Sequence, residues 1–174
     1  MRKVLLGLLM AVMCMGLAHA ASSDTIAVKV TIIASLSVDI TESELSLGSV
    51  NVGTTTASPT AITVTNNGSG VAETYSLSLT NPSGWTASQT AAGSEAYVLN
   101  AAFNSDDSVT WDNAAHALSV APVVSTADKF AGDQTGAAVP HGAVRNLWFQ
   151  FLSPTATGVT DEQSITVTVT AQAA

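Results

Sequence analysis

The chain has 174 residues, 47% of them hydrophobic and only 10% charged, with a formal net charge of −8. An acidic surface with so few cations repels nucleic acid and anionic lipid, so neither is expected as a partner. The length suits a single domain able to bury a core of its own.

The opening stretch, MRKVLLGLLMAVMCMGLAHA, carries a positive pair, Arg2 and Lys3, an apolar run over 4–17 and a small-x-small site at Ala18-His19-Ala20. The run is shorter than the roughly 20 residues that span a bilayer. This pattern predicts a secretory signal peptide over residues 1–20, cut after Ala20. The product is then secreted, extracellular or at the cell surface, with no membrane contact after cleavage. Met13 is too bulky for a lipoprotein site at Cys14, the sole cysteine. Cleavage therefore leaves a chain without disulfide or thiol chemistry. It also leaves Lys29, Lys129 and Arg145 as the only cations.

Next comes DTIAVKVTIIASLSVDI, residues 24–40. Its even positions are all apolar: Ile26, Val28, Val30, Ile32, Ala34, Leu36, Val38 and Ile40. The odd positions are mostly Thr, Lys, Ser and Asp. Period-two alternation predicts a strand, but one far longer than the usual 5–6 residues or so. We therefore divide the chain into the leader at 1–20, an N-terminal extended strand at 21–40 and a β-sandwich domain at 41–174. The extended strand is a candidate donor strand, with Ile26, Val28, Val30 and Ile32 as its assembly residues.

Further strands are expected at 44–47, 61–66, 74–80, 96–103, 108–111, 117–124, 145–152 and 164–172. Alternation is cleanest at Tyr75, Leu77 and Leu79, at Leu147, Phe149 and Phe151, and at Ile165, Val167 and Val169. Turn chemistry separates them, as in Asn66-Asn67-Gly68-Ser69-Gly70 and Asn81-Pro82-Ser83-Gly84. The stretch 125–138 reads as a long loop with a short helical turn at 126–130. About eight to ten short strands imply an all-β fold, a single antiparallel β-sandwich of immunoglobulin-like or jelly-roll type. The expected core takes the even positions of 26–40 together with Leu45, Leu47, Val64, Leu77, Leu118, Val120, Phe149 and Val167.

The run LSLGSVNVGTTTASPTAITVTNNGSGVAETYSLSL, residues 45–79, resembles the opening of bacterial immunoglobulin-like modules. The matching positions are Gly48, Val50, Val52 and Gly53, then Thr63, Val64, Thr65, Asn66 and Gly68. The resemblance implies a sandwich in which Gly48 and Gly53 bracket a crossing between sheets. In arrangement the chain also resembles subunits of secreted donor-strand fibres, including the TasA/camelysin family. There, one subunit's N-terminal strand completes the sandwich of the next. That resemblance implies self-association into a homopolymer.

Signals for catalysis are weak. No G-x-S-x-G, H-E-x-x-H or phosphate-binding glycine loop occurs, and the two histidines beyond the leader, His116 and His141, have no partner motif. No enzyme activity and no cofactor are expected. One exception is a weak Ca²⁺ candidate at Asp106, Asp107 and Asp112, where hard oxygens are dense but the spacing is not that of an EF-hand. Trp148 falls on the face opposite Leu147, Phe149 and Phe151, and is a candidate interface or ligand aromatic. The leading expectation is a structural subunit of an extracellular fibre or surface assembly, built by β-strand addition. The alternative is a monomeric secreted module that binds a glycan or a cell-surface partner.

Overall fold

The computed structural model describes Ser23 and residues 25–31 and 33–174. The expected signal peptide, Asp24 and Ile32 lie outside the described residues. The backbone divides into two units between Ile32 and Ile33. In the first, residues 25–31 form no regular secondary structure, and Ile26, Val28 and Val30 are 88%, 79% and 77% exposed.

The second unit is built almost wholly of strands: β1 (Val38–Ile40), β2 (Thr55–Ala57), β3 (Ile62–Asn66), β4 (Glu73–Thr80), β5 (Thr86–Ala87), β6 (Ala96–Phe103), β7 (Val123–Val124), β8 (Val144–Leu152) and β9 (Thr166–Ala173). One four-residue helix, α1 (Asn113–His116), lies between β6 and β7. The larger sheet runs β1-β3-β8-β6-β5, with β2 also on β8; the smaller runs β7-β4-β9. All pairings are antiparallel except β5 with β6. The fold is thus the expected all-β, sandwich-like one.

Alternation explains the core. Tyr75, Leu77 and Leu79 on β4 face Leu99, Ala101 and Phe103 on β6 and Leu147, Phe149 and Phe151 on β8, in one apolar cluster. β2 and β3 lie along the same edge of β8, interrupted at Pro59, which has no N–H for a ladder. Ser58 bridges the interruption: its N–H donates to Phe149 O (2.8 Å), and its Oγ accepts from Phe149 N (3.1 Å).

Several expectations need correction. Among the described residues of 25–40, only Val38–Ile40 enters a ladder. Of the even positions only Val38 packs against the core, half-buried; Ile26, Val28, Val30, Leu36 and Ile40 are exposed. Residues 44–47 make no ladder. Residues 108–111 are loop, because Asp106 turns the chain by accepting from Ser108 N (2.9 Å) and local side-chain bonds compete with pairing. Of the expected strand 117–124 only Val123–Val124 forms a strand, β7; the part before it crosses between sheets, where Leu118 N donates to Leu99 O and Leu79 N donates to Ser119 O. Val120 sits at that crossing, 59% exposed. Helix occurs at α1 rather than at 126–130, since Asp112 caps it by accepting from Ala114 N (3.0 Å). The loop 125–138 is real, yet it sends Phe130 into the core, fully buried.

Candidate functional site

Between the sheets lies an open cleft of about 1240 Å³. Its floor is the inner face of the larger sheet, with Ile62, Leu99, Leu147 and Phe149. One wall is the segment 42–50, carrying Leu45, Leu47 and Val50. The other is 160–169, carrying Ile165, Val167 and Val169. Trp85 stands at one end, its ring stacked 6.0 Å from Phe151 and its Nε1 donating to Thr157 Oγ1 (2.9 Å).

Each wall presents unpaired backbone. β9 is the terminal strand of its sheet; among the described residues it pairs only β4, from Glu73↔Ala173 to Thr80↔Thr166. Its inward residues Val167, Val169 and Ala171 are only half-buried, where an inner strand would bury them. The segment 43–47 points Leu45 and Leu47 at the core. Among the described residues, its backbone makes no hydrogen bond to another segment. The segment is therefore held by side chains and by its ends, where Thr41 N donates to Thr63 O and Gly53 N to Pro154 O. Gly48 and Gly53, the pair singled out in the sequence, both have positive φ, +66° and +70°.

A second feature fixes the point where the sandwich begins. Ser35 N donates to Ser69 Oγ (2.8 Å), Ser69 N to Ser35 O (2.9 Å) and Asn67 N to Ser37 O (2.7 Å). Behind these bonds lies Glu73, fully buried, whose Oε1 accepts from Ser37 N (2.7 Å). Among the described residues its Oε2 has no hydrogen-bond partner, and neither has the buried Tyr75 hydroxyl. A Cβ on Gly68 would come within 2.4 Å of Glu73 Oε1 and 2.7 Å of Ser35 O, so only glycine fits the turn. Sequence reading missed Glu73 as a buried residue. The signal was present: extending the inward phase of Tyr75, Leu77 and Leu79 back by two positions lands on it.

The remaining candidates are scattered. Ile26, Val28 and Val30 are exposed; their fourth companion, Ile32, lies outside the described residues. Trp148 does face away from the core, half-buried opposite Ala102 on β6, with Nε1 donating to Asn104 O (3.1 Å). Asp106 and Asp112 are each committed to a turn or a cap, and Asp107 is exposed. The Ser108 hydroxyl and N–H hold the Asp106 carboxyl below its usual range. Among the described residues no cluster of three or more metal-ligating side chains occurs. His116 is buried: its Nδ1 accepts from Asp112 N (3.0 Å), and its Nε2 lies 3.1 Å from Ala131 O. That is a structural role. His141 stands in a turn closed by Ala143 N donating to Pro140 O. No helix among the described residues is long and apolar enough to cross a membrane.

No protein-family model matches this chain, and a search of curated proteins finds no match either.

Proposed function

We propose that this chain is a secreted structural subunit that polymerises head to tail, with residues 26–32 of one copy adding as a strand to the free edge of β9 in the next. The observation that carries the proposal is a cleft with an apolar floor flanked by an unpaired edge strand, in a chain that also carries an alternating apolar segment whose described residues, 26–31, form no ladder. An extended peptide gains main-chain hydrogen bonds from such an edge, and its alternate side chains fill the cleft. The lengths agree: seven residues at about 3.3 Å span roughly 23 Å, and the eight residues of β9 span roughly 26 Å. The contact joins two different surfaces, so it repeats without closing and yields a filament.

Deleting residues 21–33 tests this. We expect the full chain to form filaments in negative-stain images and large species in size exclusion, and the deletion to remain monomeric. Polymerisation of the deletion as readily as of the full chain would overturn the proposal. A full chain that stays monomeric at high concentration would instead favour the glycan- or surface-binding alternative. Trp148→Ala on a glycan array then becomes the informative variant.

A further inference from the structure

The cleft has two walls, and strand addition to β9 uses only one. Opposite it, 43–47 places Leu45 and Leu47 on the core side, and among the described residues its backbone pairs with no other segment. The segment leaves β1 at Ile40, passes the cleft and rejoins the larger sheet at Gly53, bonded to Pro154 O. β9 leaves the Trp85 end of the same cleft at Thr166 and finishes beside β1. The two walls therefore run in opposite directions.

We infer that 43–47 is a second docking rail, so that the incoming strand hydrogen-bonds to β9 on one edge and to 43–47 on the other. This rests on the assembly reading above. Its physical ground is desolvation. At present the cleft leaves the amides and carbonyls of 43–47 open to water. A strand that fills the cleft with Ile26, Val28, Val30 and Ile32 removes that water. Backbone groups buried without a partner are costly, and nearly all such groups in folded proteins are paired. The incoming strand is the one new source of partners. Pairing on both edges extends the three-stranded sheet to five. Because the rails are opposed, the guest lies antiparallel to one and parallel to the other.

Hydrogen exchange of the full chain, alone in dilute solution and with an excess of synthetic peptide of residues 25–33 (TIAVKVTII), reads both rails at once. We expect amides of 43–47 and of the outer edge of β9 to slow together, each by at least about tenfold. Protection of β9 with 43–47 unchanged overturns the second rail and leaves the assembly reading standing. Protection of 43–47 alone overturns the two-sided arrangement and moves the guest off β9. Protection of neither means that the cleft accepts no such strand, and both readings fail.

Discussion

Glu73 shows how one residue ties the entry of the sandwich, at Ser37, to its interior. Its Oε1 accepts from Ser37 N, while among the described residues Oε2 is buried without a partner. Glu73→Gln keeps an acceptor for Ser37, so we expect its stability within about 1 kcal/mol of the parent chain in urea titration. Glu73→Ala removes the acceptor and leaves a void, and should cost about 2–4 kcal/mol. Equal effects of the two would refute the anchoring role. The two tyrosines give a pH signature. Burial pushes Tyr75 and Tyr97 from 10.0 up to about 12, and at Tyr75 the neighbouring Glu73 adds to the shift. Unfolded phenols ionise near pH 10 or so. A raised folded value means that this contribution to stability is intact below about pH 10 and is lost as pH climbs toward 12. Phenolate absorbance should therefore appear at higher pH in the folded chain than in urea. Coincident curves would contradict the burial of both hydroxyls.

At the scale of elements, the strands that alternate inside one sheet were readable, and those that depend on a distant partner were not. Tyr75, Leu77 and Leu79 and their counterparts on β8 and β9 declared both strand and face. β5 is two residues long and pairs in parallel, so nothing local marks it. Residues 44–47 alternate like a strand, yet a ladder needs a neighbour, and the sequence cannot supply one. Val120 alternates with Leu118 but falls where the chain changes sheets. Substitution should separate the two: Leu118→Ala is expected to cost about 2–5 kcal/mol, and Val120→Thr less than about 0.5 kcal/mol. A large loss at Val120 would place it in the core after all. Of the proposed assembly segment, the alternation of Ile26, Val28 and Val30 was legible, while the described residues 25–31 form no strand. The cleft was not legible, because its walls come from segments more than a hundred residues apart in sequence.

For the whole molecule, the sparse charge bears on how an assembly would respond to its surroundings. The proposed contact joins apolar side chains and backbone, with Lys29 as the one charge on the incoming strand. Raising salt to about 1 M shortens the screening length to roughly 3 Å, yet should leave filament yield in sedimentation unchanged or higher. Dissolution by salt would point to a charge-driven contact instead. Such a filament would also have to bear a pull. Tension along the incoming strand enters each subunit at Ile33 and meets the bonds of Ser35 and Ser37 to Ser69, Asn67 and Glu73, then the three pairs of β1 with β3. In such a filament the turn at 66–70, with Gly68 pressed against Ser35, would serve as the buckle of a strap: the place where force would pass from one subunit into the body of the next.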